Sequence, residues 1–293
     1  MNYIPNIHFI LPAGGVRGAF QAGFLHQLFT NYEDKFNIAR IDGTSVGSIN
    51  GFAIMNKKYE SLKDIWLNIE SINDLFENWS ESYVFKDLFS YYQGFWKNGM
   101  YSNNKLKNII IDNSNNTWDT LEDEFKSKFS CAVVNINKAD TIYINGTNPN
   151  IIDYITASAA PWIVTNPVNI DGDLYTDGGL LETYPIKYVN KCQADITVIV
   201  GFDQEHFSFI PQKNGNLLQY LANLIDIGRF NSINSILTKQ LIENDSGVIA
   251  IANPMHITFI DFNKEAINDG FRQGIDFANT FYKTYIENFQ KKI

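Results

Sequence analysis

One serine lies in a pattern that is typical of a catalytic nucleophile. Residues 43–47, GTSVG, place Ser45 between two glycines in a G-x-S-x-G arrangement. The apolar run NIARI precedes this motif, and the stretch GSINGFAIM begins at its last glycine. The predicted order is therefore strand, sharp turn and helix, as in a nucleophile elbow. The serine of an elbow occupies strained backbone, and the residues two before and two after it must be small. Ser45 is therefore the candidate nucleophile; a turn serine that caps the following helix is the alternative.

A glycine-rich loop could stabilise the negative charge that such a nucleophile generates. Residues 13–20, AGGVRGAF, lie between a predicted strand and a predicted helix. Ala13 stands where a dinucleotide-binding loop needs its first glycine, and the Gly-Lys-Ser/Thr of a P-loop is absent. The loop therefore indicates exposed main-chain amides at a helix N-terminus. Such amides suit any anion, including a transient oxyanion.

A nucleophilic serine needs a proton acceptor, and histidine is the usual one. The four histidines are His8, His26, His206 and His256. The first two fall in a predicted strand and helix, and the last two have no supporting local pattern. The stronger candidate is Asp177, which precedes two glycines in YTDGGLLETYP. A carboxylate with a pKa of about 3.9 is a weak base unless it is desolvated and in contact with the hydroxyl. A Ser–Asp dyad is thus favoured, and a Ser–His–Asp esterase remains the alternative.

The elements that position these residues alternate between strands and helices. Strands are predicted at 7–11, 38–41, 129–135, 141–144 and 195–200, and helices begin at Gly18, Gly47, Asn104 and Ile151, with a last helix over about 264–290. This alternation predicts an α/β fold, a three-layer α/β/α arrangement with a mainly parallel central sheet. We expect one domain over 1–293, with an aromatic insertion at about 56–105 and a helical one at about 203–250 forming a cap.

The composition of the chain indicates which partners and which cellular compartment to expect. The chain has 293 residues, 45% of them hydrophobic, and a net charge of −9, which argues against a nucleic-acid partner. Two cysteines are too few for a disulfide framework and fit a reducing compartment. The apolar start lacks a basic region, so it is interpreted as a strand rather than a signal peptide, and no stretch has the length of a membrane span. We expect a cytoplasmic protein that contacts membranes only peripherally.

Three motifs together resemble the patatin-like phospholipase family. AGGVRG, GTSVG and ASAAPWIVTNPVNIDGDLYTDGG are similar to its signatures G-G-x-R/K-G, G-x-S-x-G and D-G-G/A, in the same order and spacing from about 7 to about 200. The resemblance implies that Ser45 is the nucleophile, that Asp177 is its partner, and that no cofactor or metal is needed. It also implies an oxyanion loop of Gly14, Gly15, Val16 and Arg17, with the amides of the two glycines as donors. Two departures are Ala13, where many members have a third glycine, and ETY at 182–184, where an asparagine is common.

The function expected from this resemblance is hydrolysis of fatty-acyl esters of phospholipids or lysophospholipids. A catalytically silent lipid-binding protein is the alternative from another class. Arg17 is interpreted as orienting the oxyanion loop or attracting a lipid phosphate, as opposed to a solvated arginine. Asp171, Asp173 and Glu182 match three positions of a calcium loop, but Tyr175 and Thr176 break it. The aromatic residues of 79–101 fit either ordinary core or a lid that meets lipid.

Overall fold

The computed structural model describes residues 3–77, 102–114, 117–161, 164–202, 248–253 and 262–292. All the predicted site residues fall within these ranges. The aromatic stretch 79–101 and the helical stretch 203–247 lie outside them, as do His206 and His256. The predictions of a lid and of a helical cap on these two stretches therefore remain predictions.

A mixed sheet forms the centre of the described structure. Its strands are β1 (Asn6–Leu11), β2 (Asn37–Thr44), β3 (Phe129–Asn135), β4 (Asp140–Asn145), β5 (Val168–Ile170), β6 (Asp173–Asp177), β7 (Ile196–Phe202) and β8 (Val248–Asn253). The order is β5-β6-β3-β2-β1-β7-β8, and β4 also pairs with β3. The neighbours from β3 to β8 along this path are parallel. The pairs β3–β4, β3–β6 and β5–β6 are antiparallel. The α/β class is confirmed, whereas the predicted parallel pairing holds only from β3 to β8 along this path.

Helices connect and cover these strands. They are α1 (Gly18–Tyr32), α2 (Val46–Met55), α3 (Tyr59–Asn68), α4 (Asn104–Ser114), α5 (Thr117–Thr120), α6 (Asp123–Lys126), α7 (Ile151–Ser158), α8 (Lys264–Phe281) and α9 (Glu287–Lys292). A π-helical turn, Tyr282–Ile286, joins the last two. Single 3-10 turns occur at Gly15–Arg17, Glu33–Lys35, Ile72–Asp74 and Gly178–Leu180.

The two faces of the sheet are covered differently in the described part of the chain. Alternate residues of a strand point to opposite faces, and Phe9 and Leu11 of β1 join the main core with the helices. Ile10 points the other way and packs against Tyr184 and Ile186. The segment after β6 thus covers the second face over β1 and β7. Crevices at the carboxyl ends of parallel strands are the usual ligand sites of α/β folds.

Besides the short helices α5 and α6 and the strand β8, two elements were not predicted from the sequence. One is α3, within the expected aromatic insertion, whose Trp66 is 5% exposed and donates from Nε1 to Asn50 Oδ1 over 3.0 Å. The other is the hairpin β5–β6, which turns at Asp171 and Gly172, with φ values of 53° and 91°. Two successive positive φ angles are typical of a type I′ turn, for which Asp-Gly is a preferred pair. The Asp-Gly pair was the available signal for this hairpin.

Candidate active site

The sharp turn at Ser45 depends on two flanking positions that have no room for a side chain. Ser45 follows β2 directly and precedes α2, with φ 55° and ψ −126°, a strained conformation for a residue with a side chain. A Cβ atom on Gly47 would lie 2.0 Å from the Leu11 carbonyl oxygen, and one on Gly43 would lie 2.6 Å from the Gly47 carbonyl oxygen. A side chain at Gly47 would therefore push α2 away from β1, and one at Gly43 would push α2 away from β2. The turn can be this tight because neither Gly43 nor Gly47 has a side chain.

The two dyad candidates meet because two strands end at adjacent positions on β3. Thr44, the last residue of β2, pairs with Ala132, and Asp177, the last residue of β6, pairs with Val133. Because β2 runs parallel to β3 and β6 runs antiparallel to it, the two strands approach each other head to head. A Cβ on Gly178 would lie 2.3 Å from the Ala132 carbonyl oxygen, so the chain leaving Asp177 passes this junction without a side chain.

A direct hydrogen bond joins the two candidate residues. Ser45 Oγ donates to Asp177 Oδ2 over 2.7 Å, and the Gly179 amide donates to Asp177 Oδ1 over 2.7 Å. Both residues are 7% exposed. The hydrogen bond from the Gly179 amide to Oδ1 sets the orientation of the carboxylate, so that Oδ2 faces the Ser45 hydroxyl. This geometry is what proton transfer from a serine to a carboxylate requires.

The glycine-rich loop lies beside the elbow. It follows β1, whose last residue, Leu11, pairs with Gly43 of β2. Gly15 has a φ of 54°, and among the described residues no group accepts a hydrogen bond from the amides of Gly14 or Gly15. The Ala13 amide donates to the Thr183 carbonyl over 2.9 Å, which ties the loop to the chain that follows Asp177. Ala13 does not have a positive φ, so alanine is tolerated in place of the family's third glycine.

The remaining loop residues are buried. Val16 is 0% exposed and belongs to the main core, and Arg17 is 4% exposed. The alternative of a solvated arginine at position 17 is therefore wrong. Burial of a guanidinium beside the loop is compatible with a role in orienting it.

The two described histidines are engaged away from Ser45. His8 Nε2 lies 2.8 Å from Asp42 Oδ2. His8 pairs with Arg40, five residues before Ser45, so at about 3.3 Å per residue it lies roughly 16 Å from the elbow along the strands. His26 Nδ1 lies 3.0 Å from the Tyr59 carbonyl. Neither described histidine is placed to take the Ser45 proton.

The acidic residues near the site are held by separate partners. Asp173 accepts from Asn135 Nδ2 over 2.9 Å and pairs with Lys138 Nζ at 3.2 Å. Glu182 accepts a hydrogen bond from the Tyr143 hydroxyl. Burial raises the pKa of the Glu182 carboxyl above its ordinary value, although this hydrogen bond acts in the opposite direction. In the part of the chain that the structure describes, no three His, Cys, Asp or Glu side chains are grouped as a metal site would need.

Comparison with models of known protein families gives a match over much of the chain. The family model of the patatin-like phospholipases matches residues 9–190, a span that includes the glycine-rich loop, Ser45 and Asp177. Because this match covers more than half of the chain, the chain belongs to the patatin-like phospholipase family.

Two proteins illustrate how far the similarity extends. An uncharacterized protein of Acanthamoeba polyphaga mimivirus is 30% identical over 183 residues, which are 60% of this chain and 59% of that protein. The chain thus matches over little more than half of this relative's length. The crystal structure of VipD from Legionella pneumophila aligns over 94% of this chain and 67% of its own, with 11% identity and a TM-score of 0.41.

Among the helices that the structure describes, none has both the length and the apolar character that crossing a membrane requires.

Proposed function

We propose that this protein is a serine acyl hydrolase that cleaves fatty-acyl esters of phospholipids or lysophospholipids. The observation that carries the proposal is the 2.7 Å hydrogen bond from Ser45 Oγ to Asp177 Oδ2 in a strained elbow. Membership of the patatin-like phospholipase family supports a lipid ester as the substrate.

The first half of the reaction is acylation of Ser45. The Ser45 oxygen attacks the ester carbonyl while its proton passes to Asp177 Oδ2. The carbonyl oxygen becomes an oxyanion, to which the amides of Gly14 and Gly15 donate. When the intermediate collapses, the C–O bond to the leaving alcohol breaks and the alcohol takes the proton from Asp177. The fatty acid is then esterified to Ser45.

The second half is hydrolysis of the acyl-enzyme. Water enters the position that the alcohol has left and transfers a proton to Asp177 as its oxygen attacks the acyl carbonyl. The same amides stabilise the second oxyanion. Collapse breaks the bond to Ser45 Oγ, which recovers its proton from Asp177, and the fatty acid is released. The carboxylate serves as base and then as acid in each half, as microscopic reversibility requires.

Two exposed leucines next to the dyad fit a substrate presented at a lipid surface. Leu180 and Leu181 are 42% and 56% exposed, and they follow Asp177 after only two glycines. A net charge of −9 does not favour electrostatic attraction to anionic lipid. We infer that peripheral contact with a membrane uses apolar side chains such as these. A cytoplasmic location is part of the same proposal.

The proposal is tested by incubating the purified chain with vesicles of mixed phospholipids and identifying the products by mass spectrometry. Free fatty acid and lysophospholipid are expected, and Ser45→Ala should release neither. A fluorophosphonate probe should add covalently to Ser45 in the wild-type chain and not in Ser45→Ala. Lipid binding without products or probe adduct would instead indicate a catalytically silent lipid-binding protein.

A further inference from the structure

A buried hydroxyl contacts the main chain of the candidate nucleophile. Ser158 is the last residue of α7 and is 0% exposed. The Ser45 amide donates to Ser158 Oγ over 2.9 Å, and Ser158 Oγ donates to the Ala132 carbonyl oxygen over 2.7 Å. Ser48 Oγ lies 2.9 Å from the same oxygen. Three elements, β3, α2 and α7, thus meet at one side chain beside the elbow.

The direction of each of these hydrogen bonds follows from a proton count. A serine hydroxyl has one proton to donate and two lone pairs to accept with. A carbonyl oxygen only accepts, so the Ser158 proton belongs to the bond with Ala132. Ser48 must therefore donate to Ser158. The Ser158 oxygen is saturated, with one bond donated and two accepted, which defines a single orientation of the side chain.

The Ser45 amide needs this acceptor because the sheet offers it none. The β2–β3 ladder ends at the pair Thr44–Ala132, and the next residue of β3, Val133, is paired with Asp177. A buried amide without a partner is unfavourable. Ser158 Oγ accepts this hydrogen bond, and the donor, Ser45, is the residue with the strained backbone.

The same short segment also holds the backbone of Asp177. Two residues beyond Ser158, the carbonyl of Ala160 accepts from the Asp177 amide over 3.1 Å and from Thr176 Oγ1 over 2.8 Å. One three-residue segment, 158–160, therefore bonds to the main chain of both dyad candidates. It links the two backbones in addition to their pairing with β3.

We propose that Ser158 is a positioning residue that holds the Ser45 backbone so that Oγ reaches Asp177 Oδ2. This inference rests on the proposed role of Ser45 as the nucleophile. Ser158 does not touch the substrate, and it acts through the Ser45 amide alone. Ser48 belongs to the same network but does not contact that amide through its side chain.

The test compares Ser158→Ala with the matched control Ser48→Ala. Each variant removes one buried hydroxyl from the network, and only the first removes the acceptor of the Ser45 amide. Hydrogen exchange of the Ser45 amide is measured by NMR, and kcat and KM are measured on a short soluble p-nitrophenyl ester. Should Ser158→Ala fail to fold, Ser158→Cys, with a weaker hydrogen-bonding group of similar size, is measured in the same way.

We expect Ser158→Ala to exchange the Ser45 amide at least about tenfold faster and to lower kcat by roughly 10- to 100-fold, the effect of a small misplacement of a reacting group. KM should change by less than about threefold, because the ester is bound by other groups. Ser48→Ala should stay within about threefold of the wild type in exchange and kcat. An active wild type whose two alanine variants behave alike would overturn the role of Ser158. A wild type without esterase turnover would instead overturn the proposed function.

Discussion

The contact between Ser45 and Asp177 makes Asp177→Asn the sharpest test of the dyad. The Gly179 amide needs an acceptor at Oδ1, so the asparagine oxygen will take that position and the amide nitrogen will face Ser45. Asparagine keeps the shape of aspartate and one of these two hydrogen bonds. The group facing Ser45 Oγ then donates a hydrogen bond and no longer accepts a proton.

The expected fall in kcat of Asp177→Asn can be estimated because the variant loses only the proton acceptor. A positioned general base contributes about 10²- to 10⁴-fold, or roughly 3–5 kcal/mol of the activation barrier. We therefore expect kcat on a soluble p-nitrophenyl ester to fall by about 10²- to 10⁴-fold. KM should stay near the wild-type value, and the thermal unfolding midpoint should change by a few degrees at most.

A double-mutant cycle separates a dyad from two independent contributions. If Ser45 and Asp177 act as one unit, the double variant Ser45→Ala/Asp177→Asn should be no slower than Ser45→Ala alone. As controls, His26→Gln, His206→Gln and His256→Gln should each keep activity within about tenfold. Losses that multiply in the double variant, or a histidine variant as inactive as Ser45→Ala, would refute the Ser–Asp reasoning.

Three further predictions concern the loop, the buried acid and the exposed leucines. Gly15→Val should lower kcat far more than it changes KM, because a β-branched residue is strained at the φ of 54° and displaces the amide. The oxyanion forms only along the reaction path, and the loss of one donor to it costs about 3 kcal/mol. Burial raises the pKa of Glu182 above 4.5, so the folded state keeps this proton to higher pH than the unfolded state does. The wild type should therefore lose stability relative to Glu182→Gln as the pH rises above that value, measured by urea unfolding. The pair Leu180→Ser/Leu181→Ser should slow hydrolysis of vesicles but spare a soluble ester, whereas Ile111→Ser, which alters another exposed residue, should change neither.

Each of these predictions has an outcome that contradicts it. A rise in KM alone for Gly15→Val would make the loop a substrate-binding element. A wild type that gains stability over Glu182→Gln with rising pH would mean that Tyr143 and Lys187 outweigh the effect of burial. Equal losses on vesicles and on the soluble ester in the leucine variant would show that these side chains do not serve contact with lipid.

The elbow and the glycine-rich loop could be predicted from the sequence because they depend on short-range sterics. Gly43 and Gly47 flank Ser45 within five residues, and this local spacing is what the motif requires, although Gly47 also makes room for the Leu11 carbonyl. The strand before each motif and the helix after it are likewise local patterns of apolar residues. The structure has α2 beginning at Val46, one residue before the predicted position, and β2 continuing to Thr44. The local sequence was therefore enough to predict a nucleophile elbow and an anion-binding loop.

The meeting of Ser45 with Asp177 was decided by tertiary structure. It requires the hairpin β5–β6 to pair with β3 so that Asp177 lies opposite Val133, next to the pair of Thr44 with Ala132. These residues are far apart in the chain, and no local pattern states which strands will share an edge of β3. Local motifs named Ser45 and Asp177 as candidates, and the family resemblance implied that they act as partners, but neither gave the distance between them.

The burial of Arg17 and the junction at Ser158 also came only from the three-dimensional packing. Both residues are polar types that usually lie at the surface, and nothing in their neighbouring sequence marks them as buried. Ser158 gains its partners from the turn at Ser45, from α2 and from β3, which come together only when the sheet and α7 have packed. The sequence by itself determined which groups could react, and the packing of distant strands and helices determined the distances between them.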